Sequence, residues 1–143
     1  MIRAAIIGAC LALAVAGCGG GSSGSSAGDL VGPSWTISDY DFNGGLKPVI
    51  SGSTTNLTFG DDGTVSGTAG CNTFHGSYTL DGDNLKIGPL AATQKFCADP
   101  AGVMDQEHAV MSALEKATLV AVAGSGFKLN DDGGSTMVEL AGS

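Results

Sequence analysis

The chain has 143 residues, six basic and fourteen acidic, for a formal net charge of −8, with 24 glycines and four cysteines. That length allows one domain, and the acidity excludes nucleic acid as a partner, because displacing counterions from phosphates needs a Lys/Arg surface. It also excludes electrostatic attachment to anionic headgroups, while the excess of glycine suits short strands joined by turns.

Met1-Ile2-Arg3 is a short basic start, and residues 4–16 are apolar apart from Gly8 and Cys10. A permanent transmembrane helix needs about 20 apolar residues. This run is shorter and fits the apolar region of a secretory signal. It ends in Val15-Ala16-Gly17-Cys18, which resembles the lipobox of bacterial lipoproteins. Small residues at Ala16 and Gly17 admit the backbone to a peptidase cleft. The Cys18 thiol then takes diacylglycerol, and cleavage before Cys18 frees its amine for further acylation. Residues 1–17 are therefore expected to be a lipoprotein signal peptide, with Cys18 the lipidation site. The competing reading is a plain secreted protein with a cysteine near its cleavage site. Each buried acyl CH₂ contributes about 0.8 kcal/mol, so two or three chains anchor stably where one does not. Loss of Arg3 with the signal leaves five basic and fourteen acidic residues, net −9. The expected location is the cell envelope, anchored by lipid to a membrane and facing outside the cytoplasm.

Residues 18–29 comprise the lipidated cysteine and a linker, GGGSSGSSAGD from Gly19 to Asp29. Such a stretch buries too little apolar surface to offset its ordering entropy and is expected to be disordered. Gly19 to Gly24 formally matches G-x-G-x-x-G, but no strand precedes it and no helix follows, so it is no nucleotide site. The domain proper is assigned to residues 30–143. With Cys10 removed and Cys18 lipidated, Cys71 and Cys97 remain, an even pair in an oxidising compartment, and a disulfide is expected. Two buried free thiols are one alternative. A zinc site from Cys71, His75, Cys97 and His108 is the other, although C-x3-H and C-x10-H match no familiar zinc spacing.

Ser34–Phe42 alternates and predicts a first strand, with Trp35, Ile37, Asp39 and Asp41 on one face and Trp35 filling core. Gly44-Gly45 breaks the run, and residues 47–50 read as an edge piece, since Pro48 cannot donate to a central ladder. Asn56–Phe59 and Thr64–Ser66 flank Gly60-Asp61-Asp62-Gly63 as a hairpin. Asn72–Leu80 continues as one strand, or as two bent at Gly76, with His75 on the solvent face. Asn84–Ile87 follows. Asp99 and Pro100 suit a helix cap and first position, so residues 101–117 read as the one helix. Val103, Val110, Leu114 and Ala117 line one of its faces, with Met104 and Met111 beside them. Glu107 shares that apolar face and is either a capping acid, the preferred reading, or a buried acid whose partner the sequence does not name. Strands over residues 119–122, 127–130 and 136–140 complete the chain. The expected fold is mainly β with one helix (α+β): an antiparallel, barrel-like curled sheet with a single helix packed on it. A sandwich with a helical insertion is the alternative.

Gly70-Cys71-Asn72, with Phe74, Gly76 and Tyr78, gives a G-C-N-x-F-x-G core. With Leu30, Gly32, Trp35, Leu57-Thr58-Phe59, Asp62-Gly63, Leu85, Ile87, Thr93, Cys97, Glu107, Leu129 and Leu140, it resembles the META domain (HslJ-like) family from Leu30 to about Leu140. One departure falls at Lys95, where that family often has methionine. The resemblance implies a small β-rich, barrel-like fold with one helix, an envelope or surface location, and an association with heat stress and antibiotic tolerance. It implies no catalytic residues. The paired carboxylates Asp61-Asp62 and Asp131-Asp132 sit in glycine-bearing turns, where turn formation is their expected role.

No catalytic residue, metal or cofactor is therefore assigned. The expected function is a non-enzymatic, membrane-anchored binding or structural module, its partner an envelope protein or a small hydrophobic ligand. The alternative is a small protein inhibitor of a secreted hydrolase. Gly70, Asn72, Phe74 and Gly76 are expected to be architectural, with Phe74 in the core and Asn72 bonding nearby backbone.

Overall fold

The computed structural model describes residues 24–142. Cys18, expected to carry lipid, and the expected signal peptide over residues 1–17 lie outside the described residues. The strands are β1 (Ser34–Phe42), β2 (Gly45–Pro48), β3 (Thr54–Phe59), β4 (Thr64–Gly70), β5 (Thr73–Asp81), β6 (Asn84–Ile87), β7 (Ala91–Ala92), β8 (Leu119–Ala123), β9 (Gly126–Asn130) and β10 (Thr136–Gly142). One helix, α1 (Val103–Lys116), lies between β7 and β8.

Antiparallel pairing runs β10-β9-β8-β6-β5-β4-β3-β1, and β1 pairs with β10. That closes an eight-stranded barrel with a single helix, the mainly-β fold expected. β2 lies outside the ring on β1, and β7 on β5. Closure removes the open sheet edges that would otherwise seek partners. Inward residues alternate along β3 as Thr55, Leu57 and Phe59. They meet Ile37, Val65, Phe74, Leu129 and Val138 in one core.

In β1 the alternation changes phase. The register steps from Ile37 opposite Leu140 to Asp39 opposite Glu139, which inserts one extra residue. A one-residue insertion moves every later side chain to the other face. Tyr40 is therefore buried, while Asp39 and Asp41, expected to continue the Trp35 and Ile37 face, are not. The strand ends in a hairpin missing from the sequence-based reading. Asn43 (φ 55°) and Gly44 (φ 87°) are both left-handed, as a two-residue turn between paired Phe42 and Gly45 requires.

β5 is a single strand, straight through Gly76. There the partner changes: β7 pairs at Phe74 and His75, and β6 at Tyr78 to Asp81. A Cβ at Gly76 would stand 2.9 Å from Leu90 Cδ2 and 3.1 Å from Pro89 O. The glycine thus serves close approach by the chain between β6 and β7, not a bend.

The two openings of the barrel are closed differently. Helix α1 touches β1, β4, β6 and β10, strands spread around the ring, so it lies across one end. It starts two residues later than expected. Asp99 and Pro100 stay in the preceding loop, and the cap is left-handed Gly102 with no side-chain bond. Packing sets this start, because Val103 is buried against Gly70. At the other opening the stretch expected to be disordered through Asp29 is ordered at its end. Residues Ala27–Leu30 form a 3₁₀ turn in which the Ser26 amide donates to Asp29 Oδ2 at 2.7 Å. Leu30 is fully buried, and Trp35 Nε1 donates to its carbonyl at 2.9 Å. Apolar Ala27 and Leu30 supply the burial that the Gly/Ser residues before them cannot.

Candidate functional site: the groove beside the disulfide

The turn from β4 to β5 carries Gly70, Cys71 and Asn72 against the first half of α1. Cys71 and Cys97 form a disulfide with Cα atoms 6.0 Å apart. Both thiols are thereby consumed, which ends the free-thiol and zinc readings. His75 lies exposed on β5. Phe74 is buried as expected, its ring packed into the space left by the missing side chain of Gly67.

Asn72 is 2 % exposed and uses all of its amide. Its Nδ2 donates to Lys95 O at 2.9 Å and to Glu107 Oε1 at 2.7 Å. Its Oδ1 accepts from Lys95 N at 2.7 Å and Thr93 Oγ1 at 2.8 Å. The expectation that Asn72 binds nearby backbone therefore needs correction: its partners lie more than twenty residues away. Only the backbone of Lys95 takes part, so these bonds do not depend on its side chain.

Glu107 is 5 % exposed and is not a capping acid, the preferred reading above. Its Oε2 accepts the backbone amides of Cys71 (2.9 Å) and Asn72 (2.7 Å), and its Oε1 accepts Asn72 Nδ2. One helical step away, Gln106 was missed. It is buried, accepts the Ile50 amide at 2.7 Å, and donates to Ala69 O at 2.9 Å. Helical periodicity placed Glu107 on the inward face and gave no sign of Gln106. Nothing in the sequence named what they meet.

These bonds fasten the segment from Thr93 to Cys97 to the barrel at both ends. Between the fastenings Phe96 stands 82 % exposed. A groove of about 510 Å³ runs between this segment and α1, within the size range of ligand sites. Phe96, Met104 and Met111 give it apolar walls, Asn72 and Glu107 line it deeper, and Lys95 and His108 are at its margin. A second cleft, about 620 Å³, lies between the β1–β2 hairpin and the adjoining flank of α1, lined by Asp41, Phe42, Asp105 and Lys116 among others and sharing His108 with the groove. Phe96 was not singled out from the sequence. The available signal was an aromatic residue directly before a pairable cysteine, in a stretch with no strand alternation.

Among the described residues, no group of three or more His, Cys, Asp or Glu side chains could hold a metal ion, and no helix is long and apolar enough to cross a membrane.

No curated protein matches the chain. Solved structures do. An NMR structure of a protein from Burkholderia xenovorans is similar at TM-score 0.63 and 28 % identity, covering 81 % of this chain and 85 % of that one. A further NMR structure matches at TM-score 0.57 and 23 % identity, over 78 % and 91 % of the two chains. A crystal structure of a DUF4847 family protein from Bacteroides vulgatus matches at TM-score 0.56 and 19 % identity, over 80 % and 94 %. The last two, at such low identity, share the fold alone. The META domain model matches residues 28–142, and with the closed barrel and its G-C-N-x-F-x-G turn in view, the chain belongs to the META domain family.

Proposed function

We propose that the chain is a non-enzymatic binding module of the cell envelope, tethered through lipid on Cys18, and that the groove beside Phe96 is its recognition face. One observation carries the reading: Phe96 is held out to solvent between two fastened neighbours, Lys95 bonded to Asn72 and Cys97 bonded to Cys71. An aromatic anchor fixed in advance loses little entropy on binding, which is how a small surface gains affinity. The family association with envelope stress and antibiotic tolerance attaches to this role as its setting.

The test pairs wild type with Phe96→Ala. An envelope ligand or protein captured by the wild type should be lost by a variant that melts normally, and equal capture by both would refute the reading. Mass spectrometry of membrane-extracted protein should show an acylated N-terminal Cys18, and Cys18→Ala should release the protein from membranes. A deletion strain exposed to heat and antibiotics tests the setting.

A second reading is favoured by the same segment. A fastened loop with an aromatic tip has the form of an insert for an enzyme cleft, which suits an inhibitor of a secreted hydrolase. Hydrolase activity in envelope extracts should then fall on adding wild type and stay unchanged with Phe96→Ala.

A further inference from the structure

We propose that the groove beside Phe96 takes a small cationic amphiphile, a primary or substituted ammonium on a short apolar chain. The inference rests on the reading of that groove as a binding site and goes further by assigning the charge of its ligand.

The carrying observation is Glu107. A buried carboxylate is ordinarily paired with a cation. Glu107 has three N–H donors from Cys71 and Asn72 but no basic group. The ion pair found among the described residues is elsewhere, between Lys128 and Glu139 at 3.1 Å. The three amides orient the carboxylate and carry no net charge, so among the described residues it has no cation partner at 5 % exposure in the lining of the groove. A carboxylate offers about four lone-pair directions. Two are used on Oε2 and one on Oε1, which leaves one on Oε1 for an incoming donor.

The walls suit the rest of such a ligand. Phe96 presents an exposed ring, and aromatic faces attract ammonium groups. Met104 and Met111 are half-buried, and methionine adapts its flexible thioether to varied apolar shapes. The excess of fourteen acidic over six basic residues favours approach of a cation to the molecule as a whole. Lys95 at the margin opposes it, but its side chain is exposed and screened by salt.

The experiment uses the full chain in lipid nanodiscs with ¹³C-methyl methionine. Met104 and Met111 report the groove. The probes are n-hexylammonium and the neutral n-hexanol, each titrated into wild type and Glu107→Gln. Comparing variant with wild type for each probe cancels that probe's partition into lipid. The expected result is that hexylammonium shifts both methyl signals and binds the variant about tenfold more weakly, the loss of one hydrogen bond to a charged group. Hexanol should change by less than about twofold, since it gains nothing from the charge. If Glu107→Gln does not fold, Met104→Lys replaces it. A built-in ammonium at the wall should weaken hexylammonium more than hexanol, read at Met111. Equal losses for the two probes, or no loss, would overturn the charge assignment while leaving the groove as an apolar site. Methyl signals unmoved by either probe would overturn both this inference and the groove as the recognition face.

Discussion

Asn72 bonds on all four sides of its amide, to Thr93 and Lys95 of the segment after β7 and to Glu107 of α1. Replacing it with alanine leaves Glu107 Oε1 and the Lys95 amide and carbonyl without their partners. At about 1 kcal/mol net per bond, Asn72→Ala should cost roughly 2–4 kcal/mol in denaturant melts and expose residues 93–97 to proteolysis. Phe74 and Phe96 make an internal control. Phe74→Ala should cost about 3–5 kcal/mol, and Phe96→Ala less than about 0.5 kcal/mol, so a partner lost with Phe96→Ala reports recognition and not folding. Asp62 tests local electrostatics. The Thr64 hydroxyl, and after it the Thr64 amide, donate to Asp62 Oδ1 and hold its pKa below the ordinary aspartate value. The folded state binds that proton less readily, so this contribution is present above the ordinary carboxylate range and is lost as pH falls through the lowered pKa. In an NMR titration, Thr64→Val should move the Asp62 midpoint upward. Such short-range chemistry was legible: Asp and Gly in Gly60-Asp61-Asp62-Gly63 announced the turn. Asn72 and Glu107 were only half legible. Their types declared bonding and burial, but their partners are brought together by the packing of α1 on β4 and the pairing of β7 with β5, which no local spacing encodes.

Among the elements, the β4–β5 turn depends on a glycine that alanine cannot imitate. Gly70 has φ 133°, and a Cβ there would stand 2.5 Å from Val103 Cγ2. Gly70→Ala should cost about 1–3 kcal/mol through backbone strain and crowding, and should show as a lowered Tm. The disulfide adds a second restraint on the same turn, between residues 26 apart in sequence. On the chain-entropy account its reduction should cost about 3.5 kcal/mol, read as a shift of the guanidinium midpoint under reducing conditions. The strands were legible wherever alternation was regular, as in β3 and β6. They were misread where a bulge changes phase, as after Ile37, because a bulge is set by the neighbouring strand and not by its own residues. The Asn43-Gly44 hairpin was legible and passed over, since the turn signal lay one residue before the Gly44-Gly45 pair taken as a break.

At the scale of the whole molecule, a barrel with one helix followed from many short strands, frequent turns and a single amphipathic stretch. The pairing of β1 with β10, which closes it, joins the two ends of the domain and leaves no local trace in the sequence. Closure has a consequence for how the domain stands. The chain leaving the 3₁₀ turn at residues 27–30 meets Phe59, at the end of β3, through Val31 and the Gly32 amide. Helix α1 and the groove lie at the other end, where Gln106 donates to Ser53 just before β3 begins. Six residues of strand separate the two ends, roughly 20 Å at about 3.3 Å per residue. A lipid on Cys18 would therefore tether the domain by the end away from the groove. The molecule would then hang by the end that the 3₁₀ turn plugs, with the helix-covered end and its groove turned to the aqueous space, meeting ligands that diffuse past, and one still embedded in the bilayer could be taken only if the domain tipped over on its leash.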